Sequence, residues 1–96
     1  MVYRIVFSKE AVEDYDNIVA YYLDLIQNPP VLRKIVFEIN RALDLIEQFP
    51  FSSEDFGDGL RKMHLRRYKY KLFYRVEGED IVIESILHDF QDYSGN

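Results

Sequence analysis

The spacing of the apolar residues changes once along this chain, and that change dictates the class of fold. Between Ala11 and Phe49 apolar side chains recur every three or four residues, the period of a helix that buries one stripe. From Leu60 to His88 they recur every second residue, the period of a strand with two unlike faces. Each half leaves an apolar surface that the other can cover, so helices must pack against a sheet.

Start and stop signals place the elements. Val2-Tyr3-Arg4-Ile5-Val6-Phe7 reads as a first strand, with Tyr3, Ile5 and Phe7 on one face. Ser8 can cap the helix that follows, Glu10 suits the positive end of its dipole, and Ala11, Tyr15, Ile18, Tyr22 and Leu25 carry its stripe to about Gln27. Asn28-Pro29-Pro30 ends that helix and starts another, because proline fits a first helical turn but not an interior. The second stripe, Leu32, Ile35, Val36, Ile39, Leu43, Ile46 and Phe49, stops at Pro50. PFSSEDFGDG, from Pro50 to Gly59, is rich in turn formers and reads as an exposed loop. Strands are expected at Leu60–Arg67, Tyr68–Glu77 and Ile81–His88, the last two joined by a tight turn at Glu77-Gly78-Glu79-Asp80. The predicted fold is α+β in the order β-α-α-β-β-β, a helical hairpin on one face of an antiparallel sheet, forming one domain over residues 1–96.

Composition removes several classes of function. With no cysteine and two histidines far apart in sequence, neither thiolate chemistry nor a metal site is expected, and no cofactor. The longest apolar runs are a few residues, so the reading is a cytoplasmic protein with no membrane partner. The net charge of −5 is very unevenly spread. Residues 1–60 carry −6, residues 61–75 carry +7 with no acid among them, and residues 76–96 carry −6. Such a patch can hold phosphates locally while the acidic body weakens long-range attraction to a polyanion.

Several stretches, in this order and spacing, resemble the RelE/ParE toxin superfamily over about residues 2 to 92. They are Val6-Phe7-Ser8-Lys9-Glu10-Ala11 with Asp14 and Ile18, then Ala42 to Pro50, and Gly59-Leu60-Arg61-Lys62-Met63. Tyr70-Lys71-Leu72-Phe73-Tyr74-Arg75-Val76 and Ile86-Leu87-His88 complete the set. The resemblance implies a growth-inhibiting toxin of a type II toxin–antitoxin pair, neutralised by a cognate antitoxin whose tail wraps the domain. It implies one of two targets: messenger RNA, cut without metal in the decoding site of the ribosome, or DNA gyrase, bound without catalysis. A homologue that only binds antitoxin is a third reading. In many members the last strand ends in His, one small residue and two arginines, whereas here Asp89, Phe90, Gln91, Asp92 and Tyr93 follow His88.

RNA cleavage by the ribose 2′-hydroxyl needs a proton acceptor, cations for the charged phosphorane and an acid for the leaving oxygen. Lys62, His64 and Arg66 alternate on one expected strand, and Lys69 and Lys71 alternate on its neighbour. Lys62, His64, Lys71 and His88 are the candidate catalytic groups, and Arg61, Arg66, Arg67, Lys69 and Tyr93 the candidate substrate contacts. Plainer roles compete with these. His64 can be a bystander on a strand, His88 can bond a backbone carbonyl, the tyrosines at 68, 70 and 74 suit a core, and Arg75 can pair with Glu77 or Glu79.

Overall fold

Ser8 joins the helical half of the molecule to the strand half. The computed structural model describes residues 2–91. Strand β1 (Arg4–Phe7) leads through Ser8 into helix α1 (Lys9–Ala20), and the Ser8 hydroxyl oxygen accepts from the Ala11 N–H at 3.1 Å as an N-cap. The last turn widens into a π-helical stretch, Tyr21–Leu25, which closes with an Ile26 N–H to Tyr21 carbonyl bond at 2.8 Å and a left-handed Gln27. Asn28 caps helix α2 (Pro29–Gln48) by accepting from the Val31 N–H, with Pro29 and Pro30 in the first turn as expected.

The sheet holds β2 (Glu54–Gly57), β3 (Leu60–His64), β4 (Tyr70–Glu77) and β5 (Asp80–His88) besides β1, in the spatial order β1-β5-β4-β3-β2. Consecutive strands from β2 to β5 pair antiparallel, while β1 runs parallel to β5 at the edge. The α+β fold with both helices packed on one face of the sheet is therefore present, and the sheet is mixed at one edge. Ile35, Ile39 and Ile46 of α2 meet Leu72, Tyr74, Ile81 and Ile83 of the sheet in a core where each is no more than 1% exposed.

The sheet differs from expectation in further details. The segment from Pro50 to Gly59 is not all loop: Glu54 pairs with Lys62 and Asp55 with Arg61, adding an edge strand. It turns back through Gly57, Asp58 and Gly59, all at positive φ, which is why glycines flank the aspartate. Strand β3 ends at His64, three residues before Arg67, so Leu65 to Lys69 form a wide turn. Leu65 sinks into the core there, which pulls Arg66 and Arg67 out of any strand alternation. Finally, β5 carries a bulge, since Phe73 faces Ser85 while Tyr74 faces Ile83 and Glu84 is skipped. Helix α1 serves the irregularity, because the Ser8 hydroxyl donates to the Glu84 carbonyl at 2.9 Å and the Asp14 carboxylate accepts from the Ile86 N–H at 2.9 Å.

Candidate functional site

Strand pairing decides which of the candidate groups can act together. Lys62 lies opposite Phe73 and His64 opposite Lys71, so Lys62, His64 and Lys71 share the sheet face turned away from the helices. That face is no open cationic platform. Phe73 and Lys71 are 1% and 9% exposed, and Ser85 beside them is buried as well. Lys62 is bound to Glu54 of β2 at 2.9 Å. The His64 Nδ1 lies 3.5 Å from the Asp89 carboxylate, and the Lys71 ammonium donates to the Asp89 carbonyl at 3.3 Å. The segment after β5, where resemblance led one to look for arginines, instead places an acid among the cations.

His88 does not join them. It pairs with Tyr70, whose neighbours Leu72 and Ile86 are core residues, so it lies on the helix side of the sheet. Its ring packs edge-on against Tyr70 at 5.4 Å and stacks on Phe90 at 5.0 Å, and its Nδ1 accepts from the Phe90 N–H at 3.3 Å. With Asp14, Asn17 and Tyr21 it lines a shallow cavity of about 180 Å³ beside α1. The two histidines thus stand on opposite faces, and a single acid–base site using both is not built here. Burial, with help from Tyr22, pushes the Tyr70 hydroxyl well above the usual phenol range.

The candidate substrate contacts divide as well. Arg61 points to the helix side, where its guanidinium holds the Phe51 and Ser53 carbonyls at 3.0 and 2.9 Å and covers the Phe51 ring at 5.2 Å. It clamps the segment leading into β2. Tyr74, fully buried, completes that clamp by donating to the Pro50 carbonyl at 2.8 Å, with the Ser53 hydroxyl as its second partner. Burial also raises the Tyr74 hydroxyl above its ordinary value. Lys69 sits over the Phe90 ring at 5.8 Å. Arg66 and Arg67 face α2 rather than His64. Tyr93 lies outside the described residues. Arg75 donates to the Asp58 carbonyl at 2.6 Å instead of pairing with Glu77 or Glu79.

Sequence reasoning missed Glu54 and Asp89, the two acids that answer Lys62 and His64. Glu54 was hidden by reading its strand as loop, and Asp89 by treating it only as a lost cation. Chemically, His64 with Asp89 behind it and Lys71 beside it offers one exposed imidazole, with little free positive charge to stabilise a phosphorane. Among the described residues no group of three or more His, Asp or Glu is placed to hold a metal ion, and no helix is long and apolar enough to cross a membrane.

Comparison with known proteins adds what geometry alone does not. No curated protein matches the sequence significantly. Among solved structures, the chromosomal ParDE toxin–antitoxin system from P. aeruginosa is similar, with a TM-score of 0.75 and 24% identity over 91% of this chain and 96% of that one. The RelBE2 toxin–antitoxin complex from Mycobacterium tuberculosis has a TM-score of 0.57 and 20% identity over 92% of this chain and 99% of that one. A conserved hypothetical protein from Helicobacter pylori reaches 0.55 at 17% identity over 92% of this chain and 94% of that one. These likenesses establish a shared fold, that of the RelE-like toxins. The family of ParE toxins of type II toxin–antitoxin systems (parDE) matches residues 5–93, nearly the whole sequence. The chain belongs to the ParE toxin family, within the RelE/ParE superfamily.

Proposed function

We propose that this protein is a growth-inhibiting toxin that acts by binding DNA gyrase, without catalysis, and is held inactive by a cognate antitoxin. The observation that carries the choice of target is the state of the candidate catalytic face. Lys62 is engaged by Glu54, His64 by Asp89, and Lys71 is buried, while His88 lies across the sheet. A nuclease needs cations and an acid–base pair converging on one phosphate, and these groups are dispersed or already answered. The match to ParE toxins supports the same reading.

The surface that suits an antitoxin is the helical hairpin. Tyr21, Leu23, Leu25 and Ile26 of the π-helical stretch and its end are all exposed, which is unusual for four large apolar residues in six. Phe7 of β1, Val12 and Tyr15 of α1 and Leu43 of α2 line a mostly apolar groove of about 300 Å³. An amphipathic antitoxin helix laid there would bury these residues at roughly 25 cal/mol per Å² before ordering costs. Phe51 is exposed as well but lies under the Arg61 guanidinium.

One observation favours the alternative, ribosome-dependent cleavage of messenger RNA: His64, Lys71 and Lys62 do share one face. Inducing the chain in cells separates the readings. The gyrase reading expects plasmid supercoiling to fall before protein synthesis does, and co-expression of the product of the adjoining reading frame to restore growth through a stable complex. Arrest of translation with supercoiling intact would overturn the choice of target, and absence of any complex would overturn the antitoxin.

A further inference from the structure

Four cations without an internal partner among the described residues meet around one cavity. Arg66 and Arg67, in the turn between β3 and β4, face Lys34 and Arg41 on α2 across a cavity of about 230 Å³. Among the described residues none of these four is ion-paired, in contrast to Lys62, His64 and Arg4. Two aromatic rings belong to the same wall, Tyr68 and Phe37, and Phe37 is 67% exposed. Glu38 is the fifth charged group. It is only 7% exposed and no donor among the described residues pairs with it.

We propose that this cavity binds single-stranded nucleic acid, with a phosphate held by Arg66, Arg67, Lys34 and Arg41 and an adjoining base laid on Phe37. The proposal does not depend on the gyrase reading, because the cavity is separate from the His64 face and its test measures binding alone. Planar guanidinium groups match phosphate oxygens two at a time, and the four cations around this hollow outnumber its one acid, Glu38, so an anion is favoured there. An exposed aromatic ring beside such cations is the element that single-stranded ligands use, since every base has a face to stack. Phe37, with Glu38 as an acceptor beside it, decides between a nucleic acid and an acidic protein segment. The Glu38 carboxylate only accepts hydrogen bonds, and it lies within the wall of a cavity whose other charged groups are cations. A base brings amino or imino N–H donors that can reach such an acceptor, together with the phosphate that the cations need. An acidic peptide also brings N–H donors in its backbone, but it has no flat aromatic face to lay on Phe37. With a net charge of −5 on the whole chain, attraction is confined to short range and depends steeply on salt.

The test is a titration of the isotope-labelled full chain with an eight-nucleotide single strand, as DNA and as RNA, followed by backbone amide signals. Signals of Lys34, Phe37, Arg66, Arg67 and Tyr68 should move with either strand, and the stronger arm identifies the natural source. Arg66→Ala with Arg67→Ala should weaken binding tenfold or more and lower the slope of log affinity against log salt by up to about 0.7, the share of the one phosphate they help to hold. Phe37→Ala, an independent variant at an exposed site, should weaken binding roughly tenfold through lost stacking. A polyglutamate peptide should leave the signals in place. The proposal fails if neither strand moves them at millimolar concentration, if the shifts fall on His64 and Asp89 instead, or if polyglutamate binds as tightly as the oligonucleotide.

Discussion

Lys62, His64 and Lys71 on one face of the sheet, and Arg66 and Arg67 in the turn between them, come from one run of ten residues, yet the fold uses them differently. The strand residues point to a face where a neighbouring strand and the segment after β5 supply acids, and each finds a partner within the molecule. The turn residues leave the sheet where Leu65 dives into the core, and they meet two more cations on α2 with no acid paired to any. A count of basic residues along the chain therefore misjudges where positive charge is available. Availability depends on what lies across the strand or across the turn, and in this protein it lies on α2.

Both clusters rest on the same core, so the largest effect should come from below them. Ile39→Ala empties a position 1% exposed on the buried side of α2. Loss of about 2–5 kcal/mol is expected, read as a lower midpoint in denaturant, with both clusters lost in one transition. A smaller effect is expected from Tyr74→Phe, which leaves the Pro50 carbonyl without its phenol donor. The cost should be about 1–3 kcal/mol, and amide exchange should speed up most around residues 50–57, where Tyr74 and Arg61 hold the chain.

The face clusters themselves should matter little to stability, and to different degrees. Glu54→Ala breaks the bond to Lys62, whose partner is 61% exposed, so roughly 0.2–1 kcal/mol is expected. Arg66→Ala with Arg67→Ala removes side chains that no partner holds, and each change should fall within about 0.5 kcal/mol of the parent in a thermal melt. If the turn variant proved the more destabilising, the contrast between partnered and unpartnered cations would be wrong. A last effect is one of pH. Burial raises the Asp14 carboxyl above its ordinary value of 3.8, against the lowering pull of its bond from Ile86. The folded state then binds this proton more tightly than the unfolded chain does. Its contribution to stability is complete below pH 3.8 and is lost as pH climbs through the raised folded value. Asp14→Asn, whose amide oxygen can still accept from Ile86, should remove this slope, so its melting temperature should gain on the parent's as pH rises through that window.

The helical half and the strands of the second half were legible because their signals are local. Ser8, Asn28 and the paired prolines punctuate the helices, and the two-residue alternation of Tyr70, Leu72 and Tyr74 marks β4. What could not be read is non-local. Edge strand β2 has only the residues Glu54–Gly57, and it is defined by partners on β3 and not by its own pattern. Asp14 looks like an ordinary helix-surface acid until the bulge it serves is known. The candidate site suffered in the same way. Register puts Lys62, His64 and Lys71 on one face as alternation suggested, but Asp89 arrives from beyond the last strand and His88 falls across the sheet. Lys34, Phe37, Glu38 and Arg41 recur at three- and four-residue spacing on α2, but that helix was read from its apolar stripe and not from this face. The turn that completes the cavity was hidden as well, because Leu65 to Lys69 read as strand.

Action on gyrase and not on messenger RNA is proposed for this toxin because Lys62 and His64 are answered by acids and Lys71 is buried. Its most direct measurement puts the purified toxin into two reactions side by side, gyrase with relaxed plasmid and ribosomes translating a defined message. Inhibition or poisoning of gyrase with the message intact is the predicted result, and it should persist when His64 and Lys71 are both replaced by alanine in a variant shown to be folded. Cleavage of the message with gyrase unaffected, abolished by that same double change, would contradict the account.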